Sequence, residues 1–275
     1  MITYIPDGTE EQKAIERTTH LAIAAHQDDI EFMAYAPVAE CFGAPDKWFG
    51  AIVVTDGAGS PRSGLYADYT DEQMKEVRVV EQKKAAMVGE YGFLAMLSHP
   101  SKDVKDAGNS KIIAELADLI RRAKPRYLYT HNLADKHETH VATALKVIAT
   151  LRTLSPEERP EKVYGCEVWR DLDWLCDSEK VYLDCGAHPN LMRCLSAVFD
   201  SQIAGGKRYD LAAEGRRLAN ATFSASHACD TYSALNYAMD LTPLMDQSVD
   251  IADYIAGFID RFKVNVKETI GRFMK

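Results

Sequence analysis

Two hydrophobic periods alternate along the first 154 residues. Apolar runs at 21–25, 49–55 (FGAIVVT), 93–98 and 126–130 (RYLYT) have the length and the β-branched or aromatic content of buried strands. Between them, apolar residues recur three and four apart. Ile30, Met33, Ala34 and Val38 predict a helix over 29–41. Ile112, Ile113, Leu116, Leu119 and Ile120 predict one over 110–123, which Pro125 stops. Val141, Ala144, Leu145, Ile148 and Leu151 predict one over 137–154. Another is expected over 70–89, with Thr70 as N-cap and Glu72 in the first turn, where negative charge is favoured.

Apolar strands alternating with helices predict βαβ units. The fold class expected is α/β, a Rossmann-like three-layer α/β/α domain with a mostly parallel sheet. The turn-rich SPEERP at 155–160 closes this core. Beyond it, strands are expected at 163–170 and 180–184, helices at 189–201, 208–222 and 251–262, and a short strand at 263–266. No internal repeat or low-complexity tract divides the chain. It reads as one domain over 1–275, with an α/β core at 20–154 and a C-terminal elaboration at 155–275 that covers the site. In parallel sheets ligands sit beyond the carboxyl ends of the strands. His26, Asp56 and the stretch from His131 to His140 all fall there.

Composition narrows the class without changing the fold. The 275 residues are 47% hydrophobic and 27% charged, a globular profile. With 41 acidic and 32 basic side chains the net charge is -9, which argues against nucleic acid as a partner. No apolar run approaches the roughly 18 residues of a membrane span, and the N-terminus has no secretory pattern. Six scattered cysteines (Cys41, Cys166, Cys176, Cys185, Cys194, Cys229), with no Cys-x-x-Cys pair, read as reduced thiols. A cytoplasmic protein is the expectation, and a homo-oligomer is left open.

Two clusters carry chemistry. His26-Gln27-Asp28-Asp29 sits where a strand hands over to a helix. Asp28 or Asp29 could cap that helix, but a histidine ending an apolar strand is harder to explain by packing. The second is His137-Glu138-Thr139-His140, with His131 and Asp135 upstream. Residues three apart share a helical face, so His137 and His140 can converge on one volume. Alone, such a pair would read as surface histidines. Together, the clusters could line one cleft and supply two histidines and a carboxylate with positions left open, a catalytic metal site. Zinc is the first expectation, with Fe(II) as the alternative. Asp28 or Asp29 would remain as a base on bound water.

These residues resemble the PIG-L/LmbE-like family of metal-dependent de-N-acetylases, whose signature opens Ala-His-Pro-Asp-Asp and returns with His-x-x-His. Here the matching segments are AHQDDIE at 25–31 and HETH at 137–140. TDGAG at 55–59, Arg78-Val79-Val80-Glu81 with Ala85 and Ala86, and DSQ at 200–202 extend the likeness over 20–225. The resemblance implies that His26, Asp29 and His140 ligate the metal, that Asp28 is the base, and that His137 stabilises the oxyanion or acts as an acid. It implies Arg78 as a substrate contact and an N-acetylated amino-sugar conjugate as the small-molecule substrate. Two positions depart from the pattern. Gln27 replaces proline, and Thr139 replaces an aspartate that pairs with the first histidine. Asp135 or Glu138 would then orient His137. Asp56 could accept a sugar hydroxyl or close the turn before Gly57. Trp169, Trp174 and Tyr182 could stack on a sugar, with a core role the plainer reading. His99, His188 and His227 read as structural or surface residues.

Three rivals remain. A non-catalytic metal- or sugar-binding member of the fold is motivated by Thr139. A two-His-one-carboxylate Fe(II) oxygenase fits His26-x-Asp28…His140 but belongs with double-sheet β folds. A nucleotide-binding protein using TDGAGSPRSG lacks the glycine spacing of a phosphate loop.

Overall fold

The computed structural model describes residues 1–274. In chain order the strands are β1 (Ile2–Tyr4), β2 (His20–Ala24), β3 (Phe49–Thr55), β4 (Phe93–His99), β5 (Tyr127–His131), β6 (Lys162–Cys166), β7 (Val181–Asp184) and β8 (Leu235–Asp240). The helices are α1 (Glu11–Glu16), α2 (Asp29–Met33), α3 (Tyr35–Cys41), α4 (Asp71–Val88), α5 (Ser101–Lys105), α6 (Ser110–Ala123), α7 (Glu138–Thr153), α8 (Pro189–Ala197), α9 (Asp200–Ile203), α10 (Tyr209–Phe223) and α11 (Ile251–Phe273).

The eight strands form one sheet in the order β1-β4-β3-β2-β5-β6-β8-β7. The five central strands, β4 to β6, are parallel, while β1, β8 and β7 add antiparallel margins. The chain lays β3 and β4 to one side of β2 and returns to lay β5 and β6 on the other. Strand order therefore reverses between β2 and β5, which pair through His20↔Tyr127, Leu21↔Leu128 and Ala22↔Tyr129. Such a reversal opens a crevice at the carboxyl ends of the strands.

The alternation along β2 builds the layers. Leu21 and Ile23 pack with Leu116, Ile120, Val147 and Leu151 of α6 and α7 on one face. Ala22 and Ala24 face Ile30, Val38, Ala85 and Leu195 on the other. Each large aliphatic side chain buried this way contributes roughly 1.5–3 kcal/mol. Truncating Ile23 to alanine would cost about 2–5 kcal/mol. The mixed, mostly parallel sheet between helical layers is the fold class expected.

Local signals held where the chemistry was local. Thr70 caps α4 through a capping box: its hydroxyl accepts the Gln73 N–H at 3.3 Å, and Gln73 Oε1 accepts the Thr70 N–H at 2.9 Å. Helix α6 ends at Lys124 in the left-handed region, before Pro125. Other elements differ from expectation. The helix over 29–41 breaks at Ala34 into α2 and α3, because Pro37 has no N–H for the Met33 carbonyl four residues back. The helix over 189–201 breaks at Phe199, which is fully buried and turns the chain so that the Ser201 N–H meets Glu81 Oε1 at 2.7 Å. The strand at 163–170 ends at Cys166. The expected strand at 263–266 lies inside α11, whose 3–4 spacing overrides the local Val-x-Val alternation. Strands β1 and β8 and helices α1 and α5 were not expected. All six cysteines are unpaired. Among the described residues no helix is long and apolar enough to cross a membrane.

Candidate metal centre and its pocket

Asp28 and Asp29 start α2 directly after β2, and the turn between them is unusual. Asp28 has φ 92°, a region that costs a non-glycine residue about 1–3 kcal/mol. Distant parts of the chain hold it there. The Asp28 N–H donates to Gln82 Oε1 at 3.1 Å, Gln27 Nε2 donates to the Thr55 carbonyl at 3.0 Å, and Arg78 donates to both the Gln27 carbonyl and Asp28 Oδ2, the latter at 2.8 Å. Behind Gln82, Glu31 accepts from Gln82 Nε2 and the Tyr91 hydroxyl. Burial pushes the Glu31 carboxyl up to about 8, against those two hydrogen bonds. Gly57 (φ +77°) lies over the same turn. A Cβ there would come within 2.8 Å of Gln27 Oε1 and 2.9 Å of Arg78 Cγ, so only glycine fits.

The turn brings His26 and Asp29 against α7. His26 Nδ1 lies 3.1 Å from Asp29 Oδ2 and 3.2 Å from His140 Nε2, and His140 Nε2 lies 3.3 Å from Asp29 Oδ2. Ligands at 2.0–2.2 Å around a tetrahedral ion would stand about 3.3–3.6 Å apart. Two imidazole nitrogens and one carboxylate oxygen at 3.1–3.3 Å therefore fit such an ion. The outward nitrogen of His140 is also occupied: Nδ1 meets Asp135 Oδ2 at 3.2 Å, the support expected of a metal-ligating histidine. His131 completes the wall. It stacks on His140 with centroids 3.9 Å apart, and its Nε2 accepts the Ala25 N–H at 2.9 Å, which leaves that lone pair committed.

Charges in the cluster favour two states at once. For Asp29, burial opposes ionisation, but His140, His26 and His131 outweigh it and hold the carboxyl well below its usual range. For His140, burial opposes protonation, but Asp29 and Asp135 raise it to about 9. Burial and the neighbouring His140 and His26 push His137 down to about 4. Burial raises Asp28 to about 6, against the pull of Arg78.

His137 is the N-cap residue of α7 and its ring faces His26 and His140, with centroids 4.9 and 4.5 Å away. Its Nδ1 is buried without a partner, consistent with threonine at 139. Neither expected substitute orients this ring. Asp135 Oδ1 accepts only the backbone N–H of His137, and Glu138 is exposed, 3.6 Å from Lys105.

Arg78 is 1% exposed. It lies between Asp28 and Glu81 at 2.8 and 2.9 Å and also reaches Ser201 Oγ, so the AHQDD, RVVE and DSQ segments meet at one buried cation. Asp56 closes a turn, accepting the Ala58 N–H at 3.1 Å, and pairs with Lys75. It is not part of the pocket wall. His99 ends β4 and pairs with Glu115, and His188 stands at the N-cap position of α8 without a capping side-chain hydrogen bond.

A cavity of about 430 Å³ opens over this floor. Its walls include Gly57, Phe32, Glu167, Trp169, Tyr209 and Arg216, the last four from beyond residue 155. Phe32 and Trp169 both approach Tyr209, with centroids 5.3 and 5.8 Å apart. Glu167 is buried and takes four N–H donors, from Asn220, Asn236, Tyr237 and Leu172. Of these wall residues only Gly57 and Trp169 were singled out from the sequence. Gln82 and Glu167 carried no local signal, and Glu31 entered only as the end of AHQDDIE, since their partners are distant in the chain.

The model of the PIG-L family, described as GlcNAc-PI de-N-acetylase, matches residues 21–151. No curated protein matches the chain. Several solved structures share the fold at low identity. The conserved protein TT1542 from Thermus thermophilus is 18% identical, with TM-score 0.64 over 82% of this chain and 94% of that one. GalB, the 4-carboxy-2-hydroxymuconate hydratase from Pseudomonas putida, is 16% identical, with TM-score 0.61 over 85% and 100%. N,N'-diacetylchitobiose deacetylase from Pyrococcus horikoshii is 12% identical, with TM-score 0.63 over 86% and 88%.

Proposed function

We propose, from its place in the PIG-L family, that the protein is a metal-dependent amidohydrolase that removes the acetyl group from an N-acetylglucosamine-type conjugate. The observation that carries the reading is the triangle of His26 Nδ1, Asp29 Oδ2 and His140 Nε2 at the floor of an open pocket, with Asp28 one residue from a ligand. Zinc, or Fe(II) as the alternative, would be held by those three residues. When bound, the ion acidifies water and polarises a carbonyl.

The chain's own residues supply the rest. Asp28 takes the proton of the attacking water as the new C–O bond forms. Arg78 occupies its Oδ2, and Oδ1 accepts no hydrogen bond among the described residues, so one oxygen stays available. His137 donates a hydrogen bond to the developing oxyanion, and the proton that Asp28 took passes to the amine nitrogen as the C–N bond breaks. Acetate and a free amino sugar leave. Phe32, Trp169 and Tyr209 give the sugar flat apolar surfaces against which to lie.

The fold alone does not choose this chemistry, since one of the similar structures is of a hydratase. Acetate release does. Metal-stripped protein refilled with zinc or iron, given a panel of N-acetylglucosamine conjugates, should release acetate without dioxygen. Asp28→Ala should abolish release while keeping the metal. No release across the panel, with metal bound, would favour the non-catalytic binder.

A further inference from the structure

Three cations gather on one wall of the pocket with no anion to answer them. Trp169 is part of that wall, and its ring centroid lies 6.2 Å from that of His137. The ammonium groups of Lys136 and Lys207 stand 5.8 and 5.2 Å from the Trp169 ring centroid. Half-buried Arg216 lines the same cavity, and its Nη1 donates to the Val168 carbonyl. The three come from separate segments: the loop before α7, the loop before α10, and α10 itself.

Cations close by are paired, and these are not. Arg208 pairs with Asp210 at 2.8 Å and Lys105 with Glu138 at 3.6 Å, whereas among the described residues Lys136, Lys207 and Arg216 form no ion pair. The carboxylates of the cavity are otherwise engaged. Glu167 spends its oxygens on four N–H donors, and burial pushes its carboxyl up against the pull of Arg216. Asp28 is held by Arg78, and Asp29 by His26 and His140. Lone lysines on an open surface are ordinary. Here two of them converge with an arginine on a cavity wall, in a chain whose net charge is -9. Such a chain repels an anion everywhere except where its cations are concentrated and uncompensated.

We propose that Lys136, Lys207 and Arg216 form a subsite for an anionic group, a carboxylate or a phosphate, on the aglycone of the substrate. The inference rests on the reading of this pocket as a de-N-acetylase site. In such a conjugate the acetamido nitrogen and the anomeric oxygen are borne by adjacent carbons, so the aglycone begins beside the reacting amide. Trp169 is the ring next to His137, and each ammonium is one further step of similar length away. An anion a few bonds past the anomeric oxygen is within reach of all three cations. The Arg216 guanidinium keeps donors free beyond Nη1, and the lysines bring mobile point charges. A neutral aglycone leaves all three in water and gains nothing from them.

Zinc-refilled protein tests the subsite with the carboxymethyl glycoside, the 1-phosphate and the neutral methyl glycoside of N-acetylglucosamine. The kcat/KM for acetate release from an anionic conjugate should exceed that of the methyl glycoside about tenfold at ~0.05 M salt, and the gap should close toward ~1 M. The better of the two anions names the group. The double variant Lys136→Glu, Lys207→Glu should bring the charged-to-neutral ratio to about one or below, with unchanged circular dichroism, and Arg216→Gln should lower it about 3- to 10-fold. Equal rates from charged and neutral conjugates would overturn the subsite and leave the de-N-acetylase reading standing. A gap indifferent to salt, or one that survives the double variant because the metal holds the anion, would also overturn it. Calorimetry separates the two readings from the other side. Tighter binding of an anionic conjugate than of the methyl glycoside, lost in the double variant, with no acetate released from any of the three, would uphold the subsite and overturn the de-N-acetylase reading.

Discussion

Replacing Arg78 with methionine tests the buried cation at its most informative point. Arg78 is the cation between the carboxylates of Asp28 and Glu81, 2.8 and 2.9 Å away, and both partners are nearly inaccessible to water. Removing one member of a buried ion-pair group costs about 3–5 kcal/mol, because the survivors remain charged and dry. With an unfolding entropy of roughly 2.1 cal/mol/K per residue, a 275-residue chain loses about 5–9 °C of Tm. The loss should depend on pH. Burial already raises Asp28 above its ordinary 3.8, to about 6 with Arg78 in place, and the methionine variant raises it further. Unfolded Asp28 ionises first. Between the two values the native state then holds more protons than the unfolded state, and stability falls as pH rises. The deficit of Arg78→Met should therefore be larger at pH 8 than at pH 5, measured by thermal unfolding of metal-free protein. A deficit equal at both pH values, or a Tm shift below about 2 °C, would refute the account of Arg78 as the neutralising support of Asp28. Arg78→Lys keeps the charge without the forked donors and should fall between.

Asp135→Asn should weaken zinc binding about 10- to 100-fold, because it removes the acceptor at His140 Nδ1; an unchanged Kd in chelator competition would assign that support elsewhere. Gly57→Ala should lower stability by about 1–3 kcal/mol, since its Cβ meets Gln27 and Arg78 at a positive φ; an unchanged urea midpoint would mean the loop can move aside. Glu167→Gln should cost about 1–3 kcal/mol: one face of the amide presents an N–H to the Leu172 N–H that Oε2 now accepts, a mismatch that denaturant titration would register and whose absence would show the loop repacking.

How far the fold and site could be read ahead of the structure depended on the distance between partners. Strands β2 and β3 announce themselves as nearly continuous apolar runs because both of their faces are buried, and β4 to β6 follow from their apolar and aromatic residues. Strand β8 does not: it carries Asn236 and pairs with β6 some seventy residues earlier, so nothing in its neighbourhood signals a sheet. The site divides in the same way. AHQDD and HETH identify which residue types converge, because each motif is contiguous. They do not say which nitrogen faces which partner. His140 spends Nε2 on the His26–Asp29 side and Nδ1 on Asp135, so the carboxylate expected to orient His137 is already engaged. That leaves His137 with an unpartnered Nδ1 and a depressed proton affinity. Thr139 is thus more than a missing aspartate. Without a carboxylate on Nδ1, His137 holds no fixed imidazolium, and its usefulness as a donor must come from substrate or metal changing its surroundings. The acid limb of a pH–rate profile would report that change directly: Thr139→Asp, which supplies the carboxylate, should move the His137 ionisation toward higher pH, and a profile left in place would mean that His137 does not donate in the rate-limiting step.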